Sequence, residues 1–485
     1  MKRTFLYIIL TAIALSGCYP VDNDNAKSLS PITFNDVSGT INVNIGDELV
    51  YSNLQVSSSL PLKYQWAYGK KSTSASAKEY DMVSMEVISD KPDIQYTFTH
   101  IGSYILRLRV DNGEDIQYKY FTLNVNSGLD EGLLLLCNDD TGKGSLTFVK
   151  KRTDDEVAQN SQEIWTDIFS IINKDQTISK GTDMYMSFHI AKEIQYAQLL
   201  IATDDEEASI YKLEPKTFEL LATNTMRTEF GTYCAGFSGD AASGSTYNYV
   251  FIRGGNGHTY RYDLFGDFIG ERTDATAEGI VTHNKMLVYK KARKPILYNE
   301  DCMYQPGNAK VTKRELAGHK IVNLYSDRDN NKTYVIFRNE TKANDYVIMY
   351  TTGSLAALKK VTTFTTDNLN MDENSIMTNS LNSGDVYYSY ANAVYRWGLV
   401  SKPAETPAIT LPAGEEICDL CVNYMGDFAD ESAETLLYIA TYNPNRASQH
   451  KGSLYVYDIR DNSLLKSYEG ICDRPEKIMY KYRIS

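Results

Sequence analysis

The chain of 485 residues is long enough for two or three domains. Its formal net charge of −13 argues against nucleic acid as a partner, because nucleic acids are bound through cations that neutralise phosphate. The 37 tyrosines, in an otherwise ordinary composition, favour β-strands.

The N-terminus has the order of features that marks a secretory signal. Lys2 and Arg3 precede an apolar run over residues 5–15, which is too short to span a bilayer because about 20 residues are needed. The segment Leu-Ser-Gly-Cys that ends at Cys18 resembles the lipobox of bacterial lipoproteins. This resemblance implies that residues 1–17 are a signal peptide and that Cys18 is lipidated. The alternative is an ordinary signal peptide that contains a cysteine.

Residues 18–30 are polar and lack periodicity, so they are interpreted as a lipidated tether. Asp22 and Asp24 resemble the acidic residues that accompany surface export in Bacteroidetes lipoproteins. Because no later stretch is apolar enough to span a membrane, we expect the lipid to be the anchor. The expected location is the outer membrane, facing the cell exterior.

Residues 31–127 are predicted to form a β-sandwich. Alternating apolar and polar side chains mark strand candidates at residues 40–45, 62–68, 95–99, 104–110 and 118–125. The segment around Trp66, followed later by Gly102-Ser-Tyr104, resembles the PKD family of immunoglobulin-like domains. Trp66 is expected in the core. Lys70 stands where that family often has Asp, which argues against cation binding by the following loop.

Residues 128–485 are predicted to form a β-propeller of seven blades. An apolar strand, a polar turn and an aromatic strand recur at intervals of about 50 residues, which is typical of propeller blades. The seven strand pairs are 133–137 with 145–149, 199–203 with 210–213, 249–253 with 259–262, 286–289 with 295–298, 334–338 with 346–349, 386–389 with 394–397, and 437–441 with 454–458. A final strand at 477–481 could close the ring beside the first pair, and a ring needs such closure to avoid an exposed edge. The alternative is a set of unrelated hairpins in a sandwich or barrel.

The six cysteines beyond Cys18 are scattered over more than 300 residues, unlike a disulfide framework. Cys418 and Cys421 have CxxC spacing, but no second CxxC or nearby histidine pair completes a metal site. We therefore expect structural or free thiols. A disulfide and redox or metal chemistry are the alternatives.

No catalytic motif is found. The sequence contains neither HExxH nor Gly-x-Ser-x-Gly. Asp327, Asp329 and Asn331 alternate as in half a calcium loop and faintly resemble a sialidase Asp-box, but a polar turn between strands is the favoured interpretation. We expect no catalytic residues, metal or cofactor.

Binding is the remaining chemistry. Tyr388, Tyr390 and Trp397 belong to the densest aromatic cluster, and exposed aromatic rings can stack on sugars or peptide side chains. Arg446 and His450 lie in the longest turn between paired strands, and binding residues are often carried on loops. These five residues are the predicted ligand contacts.

Taken together, the lipobox, the PKD-like segment and the aromatic propeller resemble the PKD-like lipoproteins of Bacteroidetes. Members are commonly encoded beside a SusC-like TonB-dependent channel and its SusD-like lid. The resemblance implies a non-catalytic accessory subunit of an importer of oligopeptides or glycans, with the channel and lid as partners. The alternatives are a surface glycan hydrolase or lyase and a purely structural scaffold of the importer.

Overall fold

The computed structural model describes most of the chain after residue 28. The described residues are 29–34, 39–52, 54–70, 84–158, 160–174, 176–191, 194–238, 249–270, 272, 285–289, 294–301, 303–304, 318–327, 332–352, 358–379, 385–422 and 435–482. The chain is divided into two compact units, Met1–Asn126 and Ser127–Ser485. The predicted signal peptide and Cys18 lie outside the described residues. None of the helices in the described ranges is long and apolar enough to cross a membrane.

The first unit is built of short β-sheets. Its strands are β1 Thr33–Phe34, β2 Thr40–Asn44, β3 Glu48–Tyr51, β4 Val56–Ser57, β5 Lys63–Lys70, β6 Glu86–Ser89, β7 Ile94–Thr97, β8 Gly102–Asp111 and β9 Ile116–Asn126. One sheet has the order β2-β9-β8-β5-β6, while β1 pairs with β4 and β3 with β7. All five predicted strands are present. Trp66 is fully buried and stacks on Phe121 at 6.0 Å, so its expected place in the core is confirmed.

The second unit is all-β, as predicted, and consists of seven sheets that form the blades of a propeller. All seven predicted strand pairs are antiparallel neighbours within these sheets. The early strands are β10 Gly132–Asn138, β11 Lys143–Lys150, β12 Ile164–Trp165 and β13 Ile178–Ser179. Three short helices are described, Asp154–Ala158, Ile168–Ile172 and Arg227–Phe230.

Blades 1 to 6 follow one another along the chain. Blade 1 is β14 Gly181–Ala191, β15 Ile194–Thr203, β16 Ile210–Leu213 and β17 Leu220–Asn224, and blade 2 is β18 Cys234–Ser238, β19 Tyr249–Gly254, β20 Thr259–Asp263 and β21 Phe268–Gly270. Blade 3 is β22 Lys285–Tyr289, β23 Lys294–Tyr298 and β24 Met303–Tyr304, and blade 4 is β25 His319–Asp327, β26 Lys332–Asn339, β27 Asp345–Thr351 and β28 Lys359–Thr365. Blade 5 is β29 Met377–Asn379, β30 Val386–Tyr390, β31 Ala393–Trp397 and β32 Ile409–Thr410, and blade 6 is β33 Glu416–Val422, β34 Leu436–Tyr442, β35 Gly452–Asp458 and β36 Ser463–Cys472.

Blade 7 joins the two ends of the propeller. The last strand, β37 Arg474–Lys481, pairs antiparallel with β10, in a sheet of order β12-β11-β10-β37. On its other sides β37 contacts β33 of blade 6 and β14 of blade 1. The predicted closure by residues 477–481 is therefore confirmed.

The core lies between blades. All seven residues of β35 are buried, as are the first six of β10, because neighbouring blades cover both faces of these strands. One apolar cluster accordingly combines Leu133 and Val149 of blade 7 with Tyr438 and Val456 of blade 6. Such burial explains the unbroken apolar runs from which the strand pairs were predicted.

First strands of several blades carry a bulge followed by a polar residue. The register shifts just before Asp183 in β14 and just before Asp419 in β33. Each carboxylate accepts a backbone N–H of the next blade, from Phe237 at 2.8 Å and from Ile478 at 2.9 Å respectively. These aspartates therefore join adjacent blades.

Candidate functional site

Two of the five predicted ligand contacts are core residues. Tyr388 and Trp397 have no exposed surface. Tyr388 stacks on Tyr395 with the ring centroids 5.6 Å apart, and Trp397 Nε1 donates to the carbonyl of Ser401 at 3.0 Å. The prediction that these two side chains contact a ligand is wrong, because adjacent strands and blades cover them. Tyr390, at the end of β30, is 37% exposed, and its role as a contact stays a prediction.

Arg446 and His450 lie in the turn between β34 and β35, where both are paired. Arg446 contacts Glu415 and Glu469, each at 2.5 Å. His450 Nδ1 lies 2.9 Å from Asp473. Buried Glu415 and these pairs order the turn. The structure thus gives both residues a local role, and ligand contact by either stays a prediction.

A groove of about 540 Å³ opens between blades 6 and 7, and no motif predicted it. Its size falls in the range of about 300–1,000 Å³ that is usual for ligand sites. Strands β10 and β11 supply one wall, and β34, β35 and β36 supply the other. Leu133, Val149, Leu436 and Val456 make part of the lining apolar.

Cations from both blades meet at Glu163, which precedes β12 and lines the groove. Its carboxylate accepts from Arg152 at 3.0 Å, from Lys466 at 2.6 Å and from the Tyr468 hydroxyl at 2.8 Å. Burial alone would raise the pKa of Glu163, but Lys466, Tyr468 and Arg152 outweigh it and hold the pKa below its usual value. Glu163 therefore stays ionised and ties blade 7 to blade 6.

The same wall continues with Lys150 and Lys151. Lys150 is mostly buried and pairs with Glu156 of the short helix Asp154–Ala158. Lys151 is 55% exposed and pairs with Glu131 at 2.9 Å. Four cations thus line the groove, and three carboxylates face them. The signal for this site in the sequence was the run Lys-Lys-Arg at 150–152, directly after a buried strand of an acidic chain.

A second set of charges lies on the strands β14, β33 and β37 of neighbouring blades. Lys477 of β37 contacts Asp419 at 3.1 Å, and the attraction of Asp419 raises the lysine pKa despite burial. Burial raises the pKa of Asp183, on β14. Both aspartates hold backbone amides of the next blade, so this set is interpreted as structural.

Metal and thiol chemistry find little support in the described residues. Within those ranges no group of three or more His, Cys, Asp or Glu side chains could hold a metal ion. Residues 328–331 of the alternating Asp and Asn segment lie outside them, as does Cys302. Cys418 and Cys421 are free thiols, and burial raises the pKa of each to about 12. Neither is therefore a thiolate at neutral pH.

No protein-family model matches the chain, and no curated protein matches its sequence. Among solved structures it is similar to a quinonprotein alcohol dehydrogenase-like protein from Bacteroides thetaiotaomicron, with a TM-score of 0.51 and 13% identity over 94% of this chain and 100% of that chain. The β-propeller domain of Cps50 (Swd1) from Myceliophteria thermophila gives a TM-score of 0.38 and 9% identity over 61% and 89% of the two chains. A DUF4784 family protein from Bacteroides caccae gives 0.32 and 8% over 94% and 100%. Only the first similarity is strong enough to support a shared fold.

Proposed function

We propose that the protein is a non-catalytic lipoprotein on the outer face of the outer membrane. It would act as an accessory substrate-binding or partner-docking subunit of a SusC/SusD-like importer of oligopeptides or glycans. The lipobox-like segment ending at Cys18 supports the anchor, and the acidic residues after it support surface display. The propeller supplies a binding groove.

The first unit would serve as a spacer or docking module of PKD-like, immunoglobulin-like type. Its Tyr104 hydroxyl donates to the carbonyl of His100 at 3.0 Å. The same bond occurs at the tyrosine corner of immunoglobulin-like sandwiches, which supports that assignment.

The state of Glu163 carries the proposal that the groove binds rather than cleaves. Glycoside hydrolysis needs two carboxyl groups about 5–9.5 Å apart, one of them protonated to act as the general acid. Glu163 is the one carboxylate among the residues that line the groove, and three donors hold it ionised. This is the opposite of what a general acid requires.

Affinity purification tests the proposal. The protein with a C-terminal tag would be extracted from membranes of its own host, beside a Cys18→Ala variant as the control. We expect a TonB-dependent channel and its lid protein to co-purify with the lipidated form and to be depleted with the variant. Recovery of neither protein would contradict the importer role. Turnover of a glycan or peptide that is abolished by Glu163→Gln would contradict the non-catalytic role.

A further inference from the structure

We propose that the groove between blades 6 and 7 takes an extended peptide in which carboxylates alternate with apolar side chains. This inference rests on the proposed binding function and chooses between its two ligand classes. It follows from the charges, the apolar lining and the covered aromatic rings of the groove.

The groove already contains a bound carboxylate, that of Glu163. Donors from two blades converge on it, with Arg152 on one side and Lys466 with Tyr468 on the other. The Arg152 Nε atom is buried and has no hydrogen-bond partner among the described residues. Arg152 Nη1 donates to the carbonyl of Ser161 at 3.0 Å, so the guanidinium is fixed in place beside Glu163.

Two of the four lining cations, Lys151 and Lys466, are the ones that an additional anion would meet from solvent. The side chains of Lys151 and Lys466 are 55% and 46% exposed, more than that of Lys150 at 9% or of Arg152 at 16%. The whole chain carries a net charge of −13, yet the residues lining this groove carry four positive charges against the single negative charge of Glu163. Glu131 and Glu156 pair with Lys151 and Lys150 from outside the lining, which leaves a local excess of one positive charge.

Apolar surface lies beside these cations. Leu465 and Val157 line the groove and are each 54% exposed. Leu133 and Val456 lie deeper, between the blades. An apolar ligand side chain placed here would cover Leu465 and Val157, which is favourable because it removes apolar area from water. Cations next to apolar surface fit a ligand that carries both kinds of group.

The tyrosines of the groove are poorly placed for sugars. Tyr438 and Tyr480 are only 5% and 6% exposed, so their ring faces are covered. The ammonium of Lys466 lies 4.4 Å from the ring centroid of Tyr468 and occupies that face. No open ring among the lining residues is thus left for stacking on a pyranose, and the peptide is favoured over the glycan.

Peptide binding to the full mature chain tests the inference. The probes are three labelled hexapeptides with alternating Glu and Leu, Gln and Leu, or Lys and Leu, with maltohexaose as the glycan probe. At low salt we expect the Glu peptide to bind at least about tenfold more tightly than the Gln peptide. The difference should shrink at high salt, because screening weakens exposed charge pairs. Equal affinity for the Glu and Gln peptides would overturn the proposal, as would preferential binding of the Lys peptide.

Variants locate the binding. Lys151→Gln and Lys466→Gln should each weaken binding of the Glu peptide by about threefold to tenfold, and Leu465→Ser should weaken binding of the Glu and Gln peptides alike. Lys359→Gln is the matched control, because Lys359 is exposed on the outer strand of blade 4. Lys151→Gln leaves the link between Lys466 and Glu163 intact, so it tests the site even if Lys466→Gln destabilises the fold. Unchanged binding in both lysine variants would overturn the assignment to this groove.

The test is independent of the importer role. If a channel co-purifies but the peptides do not bind, the proposed peptide ligand is wrong and the importer role stands. If the Glu peptide binds but no channel co-purifies, the importer role is wrong and the peptide site stands. Maltohexaose binding that is lost in Lys151→Gln and Lys466→Gln but kept in Lys359→Gln would replace the peptide by a glycan.

Discussion

Two lysines of the closing strand show how the surroundings of a charge decide its state. Lys477 lies beside Asp419, which raises the pKa of the lysine. Lys481 is 1% exposed and donates to two backbone carbonyls, those of Leu129 at 2.6 Å and Asp130 at 2.8 Å. Burial lowers the pKa of Lys481 to about 7. A carbonyl dipole thus replaces hydration less completely than a carboxylate does.

We expect stability to depend on pH through Lys481. The pKa of Lys481 is about 7 in the folded protein, whereas the ordinary lysine value of 10.5 applies in the unfolded chain. Between these two values the unfolded chain binds the proton and the folded chain releases it. The free energy of unfolding should therefore rise with pH across this window, by about 2 kcal/mol between pH 7 and pH 9 from this group. In Lys481→Met this contribution should be absent. Urea unfolding of both proteins at several pH values measures the difference.

Lys342→Met is the control, because its side chain is 73% exposed. It should preserve the pH dependence of the original protein. If Lys481→Met kept the full slope, the titrating group would have to lie elsewhere.

At the scale of strands, the aspartates after the bulges hold neighbouring blades together. Asp419 in β33 accepts the Ile478 amide and contacts the ammonium of Lys477, both in β37. Asp183 in β14 accepts the Phe237 amide of β18. A bulge re-aims a side chain, which explains how a strand residue can reach across to the next sheet.

Asp419→Asn should destabilise the propeller by about 2 kcal/mol. The amide can still accept from Ile478, but Lys477 loses the carboxylate that it contacts and keeps only the weaker attraction of Asp183. Removing one partner of a fully buried pair costs about 3–5 kcal/mol, and 36% exposure of the Lys477 side chain places this pair below that range. Chemical denaturation measures the loss.

Glu416→Gln gives the matched comparison on the same two strands. Its pair with Arg474 is about half exposed on both sides, so the change should stay within about 0.5 kcal/mol. Equal losses in the two variants would show that Asp419 has no special part in joining the blades.

The sequence predicts the paired strands well and the candidate site poorly, for physical reasons. Strands such as β35 are buried on both faces, so their apolar runs stand out in the sequence. The same two-sided burial explains why Tyr388 and Trp397 were wrongly predicted as ligand contacts. In a strand buried on one face, alternation would have left about half of this aromatic cluster exposed. The run Lys-Lys-Arg at 150–152 marks one wall of the groove in the sequence, but the groove itself does not show there, because Glu163 and Lys466 meet only once the ring has closed.

At the scale of the whole molecule, the ring depends on its last strand. β37 is the only described partner of β10 on one edge, and it also contacts β33 and β14. Ile478 and Tyr480 are 2% and 6% exposed there. Each such buried side chain contributes about 1.5–3 kcal/mol, and an unpaired β10 would present a bare strand edge.

Removing residues 474–485 should therefore open the propeller. We expect the shortened chain to lose its cooperative thermal transition and to associate, because the apolar faces of blades 6, 7 and 1 become exposed together. Size-exclusion chromatography and near-ultraviolet circular dichroism measure both effects.

A synthetic peptide of residues 474–482 added during refolding should restore the monomer by supplying the missing strand, as in other cases of strand addition. The same peptide with Ile478→Asp should fail, since it places a charge at a buried position. A shortened chain that stays monomeric and unfolds at the original temperature would mean that the six remaining blades and the rest of blade 7 hold together without the closing strand.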